Sequence, residues 1–244
     1  MEGREIAIEV KDLIKKFGNF TANDHLTFDV YRGEIFGFLG ANGAGKTTAI
    51  RILCGLSSPT SGKISVAGYD AFTQTEMIKR NIGYMSQKFS LYEDLTVVEN
   101  IRFYAGIYGM SKADIKNKTN LLVAKLGLEN LRNSLISSLP LGWKQKLAFS
   151  VAIFHDPQIV FLDEPTGGVD PITRRQFWDL IYEAANRNIT VFVTTHYMDE
   201  AEYCNRVSIM VDGRIDALDT PENLKSQYGA SSMQDVFIKL ARKK

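Results

Sequence analysis

Near the N-terminus, apolar and polar residues alternate in two groups. Every second position is apolar in each group, which is the period of half-buried β-strands. The apolar positions are Ile6, Ile8, Val10, Leu26, Phe28 and Val30. A turn signal at Phe17-Gly18 separates the two groups, so we expect two antiparallel strands.

Farther along the chain, short apolar runs without polar interruptions indicate strands that are buried on both faces. The runs are residues 35–39, 159–162 and 190–194. Helix-like stretches lie between them, and this alternation predicts an α/β fold with a mainly parallel sheet. A hairpin over 207–211 and 215–218 is expected near the end of the frame, because a strong turn signal joins the two runs.

Helical spacing of apolar residues dominates from about residue 89 to residue 155. Candidate helices begin near Thr96, Lys112 and Trp143, so we expect an α-helical subdomain inserted into the α/β frame. We expect residues 1–230 to form one domain and residues 231–244 a short helical tail. The apolar stripe of that tail, which should pack against the domain, is Met233, Val236, Phe237 and Leu240.

Composition narrows the classes of protein that these elements can form. The chain has 244 residues, of which 45% are hydrophobic, enough for a large core. Its 29 basic and 28 acidic residues nearly cancel, so we expect no nucleic-acid partner. Cys54 and Cys204 lie in apolar surroundings, as is typical of reduced thiols in the cytosol. Residues 1–11 are too charged for a signal peptide, and no apolar run approaches the ~18 residues of a membrane span, so we expect a chain that is soluble by itself.

A glycine-rich stretch joins the apolar run 35–39 to a helix-like stretch. It consists of Gly40, Ala41, Asn42, Gly43, Ala44, Gly45, Lys46, Thr47 and Thr48. Glycines let consecutive backbone N–H groups point inward, and the helix N-terminus behind them adds partial positive charge. Lys46 can reach the β- and γ-phosphates of a nucleotide, and the Thr47 hydroxyl can ligate the Mg²⁺ between them. The pattern therefore predicts a phosphate-binding P-loop.

Two adjacent carboxylates, Asp163 and Glu164, follow the apolar run 159–162. Ligands of open α/β sheets bind at the carboxyl ends of the strands. Neighbouring side chains on an extended segment point in opposite directions, so one carboxylate can hold Mg²⁺ while the other polarises an attacking water. Together with the P-loop, this pair predicts a site for nucleotide hydrolysis.

With these motifs in this order, the sequence resembles the nucleotide-binding subunit of ATP-binding cassette (ABC) transporters over about residues 5–220. The resemblance implies a P-loop fold of the ABC type, with an antiparallel β subdomain at its N-terminus. It also implies ATP and Mg²⁺ as ligands, with Thr47 and Asp163 on the metal and Glu164 as the general base.

Further residues take roles from the same resemblance. Gln87 resembles the glutamine that senses the γ-phosphate and Mg²⁺, and His196 resembles the switch histidine that contacts the γ-phosphate. Phe17 matches the aromatic position that stacks on adenine, with Ala22 as a lesser contact. Asp170 matches the aspartate that contacts the opposite subunit of a dimer.

One motif departs from the family pattern. The usual Leu-Ser-Gly-Gly-Gln signature is replaced here by Leu139, Pro140, Leu141, Gly142 and Trp143. In the family this loop contacts the γ-phosphate that is held by the P-loop of a second cassette in a head-to-tail dimer. Proline supplies neither a hydroxyl nor a backbone N–H. The N–H groups of the helix that starts near Gly142 remain, so we expect anion binding to be weakened rather than lost.

The resemblance implies an ATPase subunit that powers export through a separate membrane permease, at the cytoplasmic face of the membrane. Segments at 100–109, 197–202 and 235–237 look like those of drug-export or ABC-2-type systems. We expect residues 89–99 to dock the membrane partner, because they adjoin Gln87.

Two alternatives remain open at this point. The first is a soluble cassette protein that acts on the ribosome or on DNA, and the second is a regulatory cassette that binds ATP with little turnover because of Pro140. A homodimer is favoured over a heterodimer, since Gln87, Glu164 and His196 would have little use at a site that never hydrolysed ATP.

Overall fold

The computed structural model describes residues 4–87 and 91–241. Within them the chain forms ten strands and eight α-helices. The strands are β1 (Ile6–Phe17), β2 (Phe20–Tyr31), β3 (Ile35–Gly40), β4 (Ser61–Val66), β5 (Tyr69–Asp70), β6 (Ile82–Met85), β7 (Ile159–Asp163), β8 (Thr190–Thr195), β9 (Arg206–Val211) and β10 (Arg214–Asp219). The α-helices are α1 (Lys46–Leu53), α2 (Thr75–Asn81), α3 (Val97–Ile107), α4 (Lys112–Lys125), α5 (Leu141–Ala152), α6 (Pro171–Asn186), α7 (Pro221–Gln227) and α8 (Met233–Ala241). Phe89, the expected start of the insertion, and the last three residues of the predicted tail lie outside the described residues.

A four-stranded antiparallel sheet has the strand order β2-β1-β4-β5. The register of β1 and β2 places Val10 opposite Phe28 and Leu13 opposite Leu26. All four side chains are buried, because the alternation turns apolar residues toward one face of the sheet. The predicted antiparallel pair at the N-terminus is confirmed.

A six-stranded sheet has the strand order β10-β9-β3-β8-β7-β6. Its strands are parallel except for the β9–β10 hairpin, as the sequence predicts. Every residue of β3, β7 and β8 is buried, which accounts for their uninterrupted apolar runs. Because β8 lies between β3 and β7, the loops that follow these three strands leave one edge of the sheet side by side.

Each face of the six-stranded sheet is covered by its own apolar core. The core toward the four-stranded sheet and α1 contains a group of phenylalanine rings whose centroids lie 5.2 to 6.2 Å apart. These rings are Phe28, Phe36, Phe38, Phe161 and Phe192. The core on the other face is built from helices α3 to α6 and includes Ile101, Phe149 and Trp178.

The helical region and the tail begin where local capping allows. A capping box between Thr96 and Glu99 starts α3. Helix α5 starts two residues earlier than the sequence indicates, because Pro140 occupies the N-cap position, where its missing N–H costs nothing. In the tail, the stripe on α8 packs against the 3-10 helix Met198–Tyr203, as predicted. No helix among the described residues combines the length and apolar character that crossing a bilayer requires.

Candidate functional site

The glycine-rich loop folds as the predicted strand, loop and helix. Gly45 is the N-cap of α1 and has a φ of 100°, in the region that favours glycine. A Cβ atom at this position would lie 2.3 Å from the backbone oxygen of Ala22, so no larger residue fits. The packing of β2 against the loop therefore fixes the loop conformation and places its N–H groups at the start of α1.

Lys46 is the first residue of α1, and its side chain is buried. The ammonium donates hydrogen bonds to the backbone oxygens of Gly40 and Ala41, at 2.8 and 3.1 Å. It also lies 3.5 Å from Oε1 of Glu164. Burial lowers the pKa of Lys46 and the nearby Glu164 carboxylate opposes this shift. An anion at the loop would favour the charged ammonium further, as a phosphate-binding lysine requires.

Asp163 ends β7 with a carboxylate that two threonine hydroxyls contact. Thr194 Oγ1 donates a hydrogen bond of 2.6 Å to Oδ1 of Asp163, and Thr47 Oγ1 lies 3.4 Å from the same oxygen. Burial raises the pKa of Asp163, and the two hydroxyls oppose that shift. A cation beside this carboxylate would favour its ionised form, so the donor set of a buried carboxylate and a hydroxyl suits Mg²⁺.

Glu164 is the point on which the remaining predicted groups converge. Its Oε2 accepts a hydrogen bond of 3.0 Å from Nε2 of Gln87 and lies 3.1 Å from Nδ1 of His196. Lys46 approaches the other oxygen. The structure thus brings three predicted site residues to one carboxylate from distant parts of the chain, from the start of α1 and from the segments after β6 and β8. Their roles toward a nucleotide stay predictions.

One expectation about the two carboxylates is wrong. Glu164 does not continue the extended strand, because its φ is 49° and its backbone oxygen accepts a turn hydrogen bond from the Gly167 N–H. The strand ends at Asp163. The two side chains are separated by this left-handed turn, which directs Asp163 to the threonines and Glu164 to Lys46, Gln87 and His196.

The predicted adenine contacts lie at the beginning of β2 and the end of β1. Phe17 lies at the β1–β2 turn with 55% of its surface exposed, and the Lys15 ammonium stands 4.7 Å from its ring centroid. Ala22 is buried and touches the P-loop through its backbone oxygen. An exposed aromatic face at the turn is compatible with adenine stacking, which stays a prediction.

The signature residues line a separate cavity of about 390 Å³ between α5 and α6. Pro140, Leu141, Gly142 and Trp143 form one wall, whereas Leu139 is buried in the core. The N-cap of α5 lacks a side-chain hydrogen bond, which follows from having proline there. The Asp170 carboxylate caps α6 by accepting hydrogen bonds from the N–H groups of the following helix, so its role toward a second subunit stays a prediction.

Sequence reasoning missed four polar residues around the site. Thr194 pairs directly with Asp163 across β7 and β8, and its position at the end of an apolar run was the available signal. The other three form a buried group, in which Thr166 Oγ1 donates to Glu200 Oε1 at 2.5 Å and Arg174 approaches Glu200 at 3.7 Å. Nothing in the local sequence pattern distinguishes Thr166, Arg174 and Glu200 from surface residues.

Comparison with known proteins agrees with this geometry. The family described as ABC transporter matches residues 23–167. The chain is 46% identical over 241 residues to the probable multidrug ABC transporter ATP-binding protein YbhF of Escherichia coli (strain K12), covering 97% of this chain and 42% of the relative. It is 37% identical over 221 residues to the cholesterol transporter ABCA5 of Rattus norvegicus, covering 89% of this chain and 14% of the relative. The chain thus spans less than half the length of these curated relatives.

A solved structure described as the ATP binding subunit of an ABC transporter has the same architecture. The two superpose with a TM-score of 0.86 at 31% identity, covering 96% of this chain and 99% of the other. The fold, the family match and the P-loop site all lead to one assignment. The chain belongs to the ABC transporter family and is one of its ATP-binding domains.

Proposed function

We propose that the chain hydrolyses ATP at the site around Glu164 and that this hydrolysis powers export through a separate membrane protein. One observation carries the proposal: the Glu164 carboxylate lies 3.5 Å from the Lys46 ammonium, 3.0 Å from Gln87 and 3.1 Å from His196. A base, its orienting groups and a phosphate-binding cation are thereby within reach of one reacting centre.

Each side chain has a defined task in this scheme. Lys46 and the N–H groups of the loop bind the β- and γ-phosphates. Thr47 and Asp163 would hold Mg²⁺, which would neutralise charge on the phosphates. Glu164 accepts a proton from the water that attacks the γ-phosphorus, while the bond from that phosphorus to the β–γ bridging oxygen breaks and ADP leaves. Gln87 and His196 orient the carboxylate and face the phosphate.

Glu164→Gln tests the general base. The amide keeps the shape of the side chain but cannot accept the proton, so we expect phosphate release to fall about a hundredfold or more. ATP affinity, measured by calorimetric titration, should stay within about twofold. Glu183→Gln, an exposed ion-pair residue on α6, is the matched control and should hydrolyse ATP normally. Normal hydrolysis by Glu164→Gln would transfer the role of base to His196.

A second cassette and a membrane permease complete the proposed assembly, with the chain peripheral on the cytoplasmic face of the membrane. A head-to-tail dimer of two copies is favoured, because the groups around Glu164 are complete. The name of the Escherichia coli relative supports a drug-like cargo. If purified chain binds ATP without turnover, the regulatory alternative is favoured instead.

An apolar patch on the residues that follow Gln87 in the chain supports docking of the membrane partner there. Tyr92, Phe103 and Ile107 are 47%, 41% and 62% exposed, and the first two rings pack edge to face with centroids 4.8 Å apart. The predicted docking segment, 89–99, overlaps this patch. Tyr92→Cys should cross-link to the permease in membranes. Cross-links formed only from the tail after Pro221 would contradict this assignment.

A further inference from the structure

A buried polar cluster includes a residue that closely follows the proposed catalytic carboxylate in the chain. Glu200 is fully buried, and its Oε1 accepts a hydrogen bond of 2.5 Å from the hydroxyl of Thr166, which is also buried. The Nε atom of Arg174, on α6, lies 3.7 Å from the same oxygen. Burying a carboxylate is unfavourable unless it is paired, so this cluster needs a reason beyond filling space.

The cluster joins two short segments that carry the proposed machinery. Thr166 lies two residues after Glu164, and Glu200 lies four residues after His196. The Thr166–Glu200 hydrogen bond therefore connects the turn that follows the proposed base to the 3-10 helix that follows the histidine. A shift of either segment would change how Glu164 and His196 face each other across 3.1 Å.

Arg174 makes further contacts with the segment that follows His196. Its guanidinium lies 4.2 Å from the ring centroid of Tyr197, and that ring lies 4.2 Å from the ring of His196. Nη1 of Arg174 also approaches Oδ2 of Asp199 at 3.4 Å. One side chain on α6 thus contacts three residues of the segment, Tyr197, Asp199 and Glu200.

A second buried ion pair in the chain has the same chemistry and a different location. Arg206 donates to Glu34 at 3.1 Å and lies 4.9 Å from the ring centroid of Tyr31. Glu34 and Arg206 adjoin the amino ends of β3 and β9, whereas the site lies at the carboxyl ends of the strands. This pair serves as an internal reference for what a buried Arg–Glu pair contributes to folding alone.

We propose that Thr166, Arg174 and Glu200 are positioning residues for hydrolysis. The inference rests on the proposed function, because it assigns Glu164 and His196 to the reaction. The three residues lock the turn after Glu164 to the segment after His196, so that the carboxylate and the imidazole keep the geometry that the attacking water requires. In this scheme they act through Glu164 and His196 rather than on the nucleotide, so their effect is expected in kcat rather than in ATP binding.

Thr166→Val and Arg174→Gln test the inference in the purified chain. Thr166→Val removes the hydroxyl at nearly constant volume, and Arg174→Gln releases the segment that follows His196. We expect each variant to lower kcat about tenfold, with KM and the calorimetric affinity for ATP unchanged within about twofold. Thr166→Ser retains the hydroxyl and should restore most of kcat. Arg174 lies at the edge of the cluster with 19% of its side chain exposed, so Arg174→Gln decides the test if Thr166→Val does not fold.

Arg206→Gln is the matched control. It should lower thermal stability at least as much as Arg174→Gln while leaving kcat unchanged within about twofold. Unchanged kcat in both Thr166→Val and Arg174→Gln, or an equal loss of kcat in Arg206→Gln, would overturn the positioning role. Wild-type chain that binds ATP and never hydrolyses it would instead contradict the proposed function itself, and with it the inference.

Discussion

The P-loop site and the signature cavity differ in how many groups of the family pattern they keep. Around the P-loop, Lys46, Asp163 and Glu164 each have polar partners at distances suited to phosphate, metal and water chemistry. In the signature cavity, Pro140 and Leu141 occupy positions where the family pattern has a hydroxyl and a glycine. The groups that we propose to perform the chemistry are all present, whereas the surface that would complete the site of a second copy is altered.

The helix behind the altered signature limits the loss. The backbone oxygen of Pro140 accepts hydrogen bonds from the N–H groups of Trp143 and Lys144, which is the normal start of a helix. The first N–H groups of α5, at Leu141 and Gly142, have no intrahelical acceptor and remain available to an anion. We therefore expect the backbone part of a phosphate contact to survive substitutions that remove its side-chain part.

The largest expected effect lies on the P-loop side. Lys46→Ala removes a charged donor to two phosphates, and hydrogen bonds to charged groups contribute about 1.5–3 kcal/mol each. We expect the calorimetric affinity for Mg-ATP to fall about a hundredfold or more. Equal affinities of wild type and variant would remove Lys46 from the phosphate site.

The second effect tests the signature side directly. Pro140→Ser with Leu141→Gly restores the family residues, and the serine also supplies a side-chain cap for α5. Since one charged hydrogen bond is worth about 1.5–3 kcal/mol, we expect turnover to rise about ten- to a hundredfold. The ATP affinity of the isolated chain should not change. If the double variant remains as slow as wild type, the altered signature is not what limits turnover.

A third prediction concerns the packing of α5 against α6 in the signature cavity. A Cβ atom at Gly142 would lie 2.7 Å from Cγ2 of Thr173, so Gly142→Ala must push α5 away from α6. Because the Thr173 hydroxyl donates to Asp170 at 2.6 Å, the threonine cannot rotate freely. We expect a loss of about 1–3 kcal/mol in the free energy of unfolding, measured with urea. Adding Thr173→Ser removes the methyl group and keeps the hydroxyl, and should restore stability. If the double variant is as unstable as Gly142→Ala alone, the contact with the Thr173 methyl group is not the cause of the lost stability.

The smallest effect concerns a buried histidine outside both regions. His155 stacks on Tyr108 with ring centroids 3.5 Å apart, and its Nε2 lies 3.1 Å from the backbone oxygen of Ile82 on β6. Burial lowers the pKa of His155 to about 4. Below pH 6.5 this imidazole becomes protonated in the unfolded chain but stays neutral in the folded chain. The free energy of unfolding therefore decreases as the pH falls from about 6.5 to 4, by at most about 1.4 kcal/mol per pH unit.

His155→Gln removes this proton uptake and so isolates the contribution of His155 to acid stability. Other groups titrate equally in both proteins, so the difference in free energy of unfolding between wild type and variant should shift in favour of the variant as the pH falls from 6.5 to 5. Urea titrations at several pH values measure it. If the free energies of unfolding of the two proteins change in parallel with pH, protonation of His155 does not lower the acid stability of the chain.

Much of the site followed from sequence because strand ends are easy to locate. Asp163 and His196 come just after apolar runs, and Lys46 follows the glycine-rich loop after a third run; parallel strands bring such positions to one edge. The left-handed turn at Glu164 did not follow, since its backbone oxygen is held by a contact that no periodicity reveals. Glu200 was missed for a related reason, because only the packing of α6 and the 3-10 helix buries it.

The central claim is that each chain holds the reacting groups and that a second copy adds its signature helix to the site. One titration tests this claim most directly. The ATPase rate per chain is measured against the concentration of purified chain at saturating Mg-ATP. The account predicts a low specific activity that rises with concentration to a plateau. The reason is that only a dimer lets the N–H groups of α5 from one copy contact the nucleotide at the P-loop of the other. A specific activity independent of concentration, or none until a different cassette is added, would contradict it.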